Sequence, residues 1–229
     1  MGDMGWTPNS VRRQVVACRL WNRLVKMDDS RLTKHIFNYD ITVNGKFSKY
    51  IADICNNFNF DEQYTQRVML DLKSVRSKAM NDYINEWRDE ISNKPKLRTY
   101  KLFKQSYGVD PYVKSFLAKR RRSLVAQTRF SILPLRLETG RFVGESVEDR
   151  VCQICHSGEV EDELHFLFHC EKYSGIRGKL LQKIENNEYI NGNDIQKLNY
   201  LFKNHPYILG NYIDKIVQER KDQLYKENC

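Results

Sequence analysis

Cys152 and Cys155 stand two residues apart in Cys152-Gln153-Ile154-Cys155, and nine residues later the chain reads His165-Phe166-Leu167-Phe168-His169-Cys170. The pattern is C-x2-C-x9-H-x4-C. Two thiolates at that separation can hold one metal ion from a tight turn, and a second pair carried by a following helix can complete a tetrahedron. All four positions would be protein ligands, which leaves none open for water, so the pattern predicts one structural zinc ion rather than a catalytic one. The ligand set is Cys152, Cys155, His165 and Cys170, with His169 left open as the alternative histidine and His156 more remote. His169 would otherwise be a neighbour donating a hydrogen bond to the ligand shell. Glu161, Asp162 and Glu163 suit the first turn of the helix, where the macrodipole favours carboxylates. Leu164, Phe166, Leu167 and Phe168 supply a small core beside the metal. The other cysteines are dispersed: Cys18 and Cys55 are expected to pack as small apolar residues, and Cys229 ends the chain.

A second chemistry comes from charge. The 229 residues carry 38 Lys+Arg against 29 Asp+Glu, a net charge of +9. Residues 1–93 hold 14 basic and 12 acidic side chains, residues 94–150 hold 14 and 5, and residues 151–229 hold 10 and 12. The surplus is therefore concentrated in the middle stretch, which points to a polyanion, RNA or DNA, rather than to general solubility. Arg98, Lys101, Lys104, Arg120, Arg121, Arg122 and Arg129 are the expected backbone contacts. Tyr100, Phe103 and Tyr107 are interleaved with them, either as platforms for unpaired bases or as core.

Other chemistries are absent from the pattern. Lys26-Met27-Asp28-Asp29 faintly echoes the paired aspartates of a polymerase, but it lies between two helical patterns, so Asp28 or Asp29 is expected to cap a helix. There is no Gly-rich phosphate loop, G-x-S-x-G elbow or H-E-x-x-H, so no enzymatic activity and no small-molecule substrate are expected. No apolar run reaches transmembrane length, which excludes a spanning helix and leaves no membrane partner. The clustered cysteines and the lack of a secretory signal predict an intracellular, reducing environment.

The elements that must position these residues read as helices, and the fold class is mainly α. Glycine (11) and proline (5) are too scarce for a loop-rich or all-β chain. Thr7-Pro8 reads as a helix start, followed by an apolar stripe of Val11, Val15, Cys18, Trp21 and Val25, with Arg12, Arg13, Arg19, Arg23 and Lys26 lying off it. A second helix after Asp28-Asp29-Ser30 carries Leu32, Ile36 and Phe37. A short helix covers 47–55, a polar loop 56–63, and the longest helix 65–92, which Pro95 stops. Further helices are expected over 112–118, 120–132, 176–184, 194–203 and 207–225, with 135–144 a loop or short extended piece. In the helix over 120–132, Leu124, Val125 and Phe130 should point inward and Arg120, Arg121, Arg122 and Arg129 outward. Three regions result: a helical part over 1–93, a basic segment with the zinc module over 94–175, and C-terminal helices over 176–229.

Leu133-Pro134, Glu138-Thr139-Gly140-Arg141, Cys152-x2-Cys155 and the Glu163-x-His165-x4-Cys170 ending together resemble the zinc-binding region downstream of the polymerase in LINE-type (non-LTR) retrotransposon reverse transcriptase polyproteins. Residues 97–175 carry the specific match. Gly2-Asp3-Met4-Gly5-Trp6 and Trp21-Asn22-Arg23-Leu24 resemble, more loosely, the segment joining polymerase to zinc region. The resemblance implies a role in holding element RNA or target DNA, a nuclear location, and a reverse transcriptase or other protein as a further partner. It implies neither polymerase nor endonuclease activity, since neither catalytic domain is present. A start at Met1 inside what is normally polyprotein would fit a truncated or co-opted copy. Two other expectations stand beside this one: a zinc-pinned scaffold for protein interaction, and a decayed retroelement fragment.

Overall fold

The apolar stripe of Val11, Cys18, Trp21 and Leu24 closes one face of α1 (Asn9–Val25) in a computed structural model that describes residues 2–181, 184 and 186–227. The chain divides into two compact units, one of residues 6–90 and one of residues 2–5 and 91–229. Among the described residues the structure is helical with no β-strand, as the mainly α expectation requires. No helix among them is long and apolar enough to cross a membrane.

The first unit comprises α1, α2 (Leu32–Thr42), α3 (Lys46–Asn57), α4 (Asp61–Thr65) and α5 (Leu72–Asn93), and the division between the units falls in the last turn of α5. Its core centres on Trp21, which stacks on Tyr64 at 5.2 Å and meets the edge of Phe37 at 5.3 Å. Ile51, Ile54, Cys55, Phe58 and Val75 pack around it. Several expected boundaries move. α1 begins at Asn9 with Pro8 as its N-cap, and no side chain, Thr7 included, caps it. Asp28 does not cap α2; its carboxylate accepts from the amide and hydroxyl of Ser30, closing a local turn. Leu32 and Ile36 are exposed, so Phe37 alone of the expected trio is buried. The expected helix over 65–92 is interrupted. Trp21 Nε1 donates to the carbonyl of Val68 at 3.0 Å, and Asn22 clamps Leu70 by both its amide and its carbonyl. The Leu70 amide is thereby withdrawn from any helical ladder, and the carbonyls of Val68 and Leu70 are turned to Trp21 and Asn22. α5 restarts where the Asp71 carboxylate accepts from the amides of Lys73 and Ser74.

The second unit holds α6 (Arg98–Phe103), α7 (Pro111–Lys114), α8 (Lys119–Arg129), α9 (Arg136–Thr139), α10 (Ser174–Leu181), α11 (Asn187–Asn191), α12 (Asp194–Asn204) and α13 (Pro206–Glu227). Of the helix expected over 176–184, residues 182 and 183 lie outside the described residues, as does Cys229. The expected loop over 135–144 is instead α9 followed by a 3-10 turn, Gly140–Val143. α8 and α13 pack along each other. Gly210 makes that approach close: a Cβ there would lie 3.4 Å from Arg121 Cβ of α8 and 2.8 Å from Cδ2 of Leu117, just ahead of it. α12 starts with a capping box, Asn193 and Gln196 satisfying each other's backbone amides. The helices after the cysteine cluster and those before it share one core, in which Phe103, Leu133, Phe166, Tyr173, Leu198 and Ile213 are buried.

Candidate metal centre

An antiparallel bridge between Val151 and Val160 folds residues 151–160 back on themselves. The amide of Cys152 donates to the carbonyl of Glu159 at 2.8 Å, and that of Glu161 to the carbonyl of Arg150 at 3.0 Å. His156 and Gly158 take left-handed backbone conformations, φ +54° and +80°, and so tighten the turn that carries Cys152 and Cys155. Asp162 opens the following helical turn, its carboxylate accepting from the amide of His165 at 2.7 Å. His165–His169 continues as one π-helical turn, and Cys170 follows it.

This folding brings together the Sγ atoms of Cys152, Cys155 and Cys170 and a ring nitrogen of His165, all within 4.8 Å of one another. His165 Nε2 lies 3.4 Å from Cys155 Sγ. Tetrahedral zinc with bonds of roughly 2.0–2.3 Å requires donor atoms about 3.3–3.8 Å apart; the Cys155–His165 pair has that spacing, and the remaining donors come within 4.8 Å. The five cysteines among the described residues form no disulfide. Three of the four ligands are buried, which suits a closed site. The residues therefore form a group that could hold a metal ion, with the donor chemistry of a structural zinc site.

The two histidines separate cleanly. His165 is buried and turns Nδ1 toward Glu159 Oε2 at 2.8 Å, which leaves Nε2 facing the thiols. His169 is exposed and binds Asp194 of α12 through Nε2 at 2.8 Å, outside the cluster. A hydrogen bond from Cys170, reinforced by His165, pulls the Cys152 thiol far down, and the same bond pushes Cys170 up. Hydrogen bonding to Cys152, then to Glu159, raises His165 to about 9 against its burial. A bound cation would replace those protons as the partner of the thiolates.

The acidic trio does more than favour a helix start. Glu161 is fully buried and takes Arg220 of α13 bidentately, at 2.8 and 2.7 Å. It also accepts from the amide of Arg136 at 2.8 Å and sits 3.9 Å from Cys152 Sγ. Glu163 is buried and holds Arg98 at 2.8 Å. Only Asp162 plays the capping part. Around the site, Tyr212 donates its hydroxyl to the carbonyl of Leu167 at 2.6 Å, and Arg177 donates to the carbonyls of Phe168 and Cys170. No local sequence pattern pairs Glu161 with Arg220, which lie 59 residues apart.

The seven candidate nucleic-acid contacts divide differently from the expectation. Lys104 and Arg129 are buried, Arg129 only 2 % exposed where the helical pattern turns it outward. Both belong to a network with Asp3 and Asp110: Lys104 Nζ lies 2.5 Å from Asp110, and Arg129 3.2 Å from Asp110 and 3.4 Å from Asp3. The Arg129 guanidinium also lies over the Phe202 ring at 4.9 Å. Burial pushes Asp110 up to about 6 despite these cations. Arg98 is tied to Glu163, and Arg120 and Arg121 converge on Asp214 of α13 at 2.6 and 3.3 Å. Arg122 donates to the carbonyls of Ser115 and Leu117. Lys101 alone of the seven is exposed with no ion pair. Tyr100 and Phe103 are core residues, which removes them as stacking platforms.

Comparison with protein families, curated proteins and solved structures finds no match. What the fold and site define is a mainly α protein with a Cys3His group able to hold a metal ion.

Proposed function

We propose that this chain is a zinc-stabilised nucleic-acid-binding module of the kind its sequence resembles, the post-polymerase zinc region of non-LTR reverse transcriptases, with no polymerase or endonuclease activity of its own. The Cys152–Cys155–His165–Cys170 group carries the zinc half of this proposal: three thiols and one imidazole nitrogen within 4.8 Å of one another, with Glu159 orienting the imidazole. The resemblance over residues 97–175 and the net charge of +9 support the nucleic-acid half. A nuclear location follows from the same resemblance. Zinc would bind to the turn that carries Cys152 and Cys155 and to His165 and Cys170, which bracket the π-helical turn, holding the two segments together.

One observation favours a second reading, a zinc-pinned scaffold for another protein: most arginines of the basic segment are engaged within the chain. The discriminating experiment titrates the purified full chain against an oligouridylate at several salt concentrations, with metal assayed on the same sample. One zinc per chain together with binding that weakens steeply with salt is the expected result. Zinc without binding would replace the module by the scaffold, and absence of zinc from folded protein would overturn the metal site.

A further inference from the structure

The cations of α1 form a surface of their own. α1 carries Arg12, Arg13, Arg19 and Arg23 with no acidic residue, and Lys26 follows as its C-cap. Its apolar stripe is buried in the first unit's core, which turns the opposite face to solvent. Along that face Arg12, Val16, Arg19, Arg23 and Lys26 recur at intervals of four, three, four and three, the spacing that aligns helical side chains. All five are exposed. From Arg12 to Lys26 the stripe runs about 21 Å at the helical rise per residue.

Two surface hollows continue it. One is lined by Thr7, Val11, Val15 and Arg76 beside Arg12 and Arg19. The other is lined by Met27, Arg31 and Thr33 beside Arg23 and Lys26. Arg31 and Arg76 are exposed too. Among the described residues none of these cations has an ion pair, whereas Arg98, Arg120, Arg121 and Arg129 all do. Asp28 is the one carboxylate in the lining of the second hollow, and it is engaged by Ser30.

We propose that this stripe is where the chain grips the phosphate backbone of its nucleic acid. The inference rests on the proposed function and relocates its contacts, from the basic segment at 94–150 to α1. A linear row of cations free of internal partners suits a polyanion of uniform charge spacing, and guanidinium forks match phosphate oxygens bidentately. An acidic amphipathic helix would need a continuous apolar seam along the row, and the exposed Val16 with Leu20 beside it spans only one helical turn. A bilayer would need α1's apolar face, which the core already covers.

The test uses the full, zinc-loaded chain and a labelled oligouridylate, with affinity measured from about 50 to 200 mM salt. Two variants are compared with the unaltered chain: Arg19→Gln/Arg23→Gln/Lys26→Gln, and Arg12→Gln/Arg76→Gln, at the other end of the row and in the hollow beside it. Circular dichroism identifies which variants are folded, and either folded variant decides the matter. The triple variant is expected to bind at least about tenfold more weakly, with the log–log salt slope reduced by about 2, roughly 0.7 for each lost phosphate contact. Folded variants that keep both affinity and slope would overturn the stripe while leaving the nucleic-acid module standing. No binding by the unaltered chain would overturn both. Displacement of the RNA by polyglutamate at equal charge concentration would replace nucleic acid by an acidic polypeptide as the partner.

Discussion

His165 offers its two ring nitrogens to different tasks, Nε2 to the thiols and Nδ1 to Glu159. Loss of the imidazole leaves three donors for four positions, so His165→Ala is expected to lose tight zinc binding, while His169→Ala retains it because His169 is engaged with Asp194. Glu159→Gln keeps a hydrogen-bond acceptor but removes the charge that fixes the tautomer. A loss of affinity of about tenfold is expected, at the low end for such outer partners because Glu159 faces solvent. Competition with a chromophoric zinc chelator measures all three; equal affinity for His165→Ala and the unaltered protein would remove His165 from the ligand set. The ligand pattern was legible because metal ligands come from short local spacings. The choice between His165 and His169 was not, since it depends on Asp194, brought in by a helix 25 residues away.

At the scale of elements, the buried Glu161–Arg220 pair fastens α13 to the turn that bears Cys152. Removing one member of a buried pair strands the other charge, which typically costs about 3–5 kcal/mol, whereas an exposed pair contributes about 0–1 kcal/mol. Arg220→Met should therefore lower the stability of the zinc-loaded second unit by several kcal/mol in denaturant unfolding. Asp214→Ala, which frees Arg120 and Arg121, should cost about 1 kcal/mol or less. The pair Glu161→Met/Arg220→Met should recover much of the single-variant loss. Equal, small effects for Arg220→Met and Asp214→Ala would remove the fastening role. The helices were legible wherever apolar residues recur at helical spacing, as in α1, α3, α8, α12 and α13. The break at 66–71 was not, because Trp21 and Asn22 take backbone groups there that local propensity assigns to a helix. Likewise Arg129 fits an outward-facing pattern, yet Asp3 and Asp110 draw it inside from distant positions.

At the scale of the whole molecule, the charge total and its uneven distribution were legible, but not how the charges are used. Much of the basic surplus of 94–150 is engaged inside the second unit, while cations of the nearly neutral N-terminal part are left free on α1. Each unit also has its own core, and the metal cluster belongs to the second alone. That separation predicts how metal loss propagates. Trp6, Trp21 and Trp87 all lie within residues 6–90, so tryptophan fluorescence reports the first unit, whereas far-ultraviolet circular dichroism reports helices of both. With zinc in the Cys3His group, a chelator would remove the cross-link between the turn of Cys152 and Cys155 and the segment of His165 and Cys170, which also seats Phe166 and Leu167 in the second core. Metal-free protein should lose helical signal and melt in part at lower temperature by circular dichroism, with the tryptophan transition unmoved and readdition of zinc restoring the loss. A tryptophan transition that shifts with the helical one would show that the two cores unfold together. No shift in either, with metal loss verified, would show that zinc does not stabilise the fold.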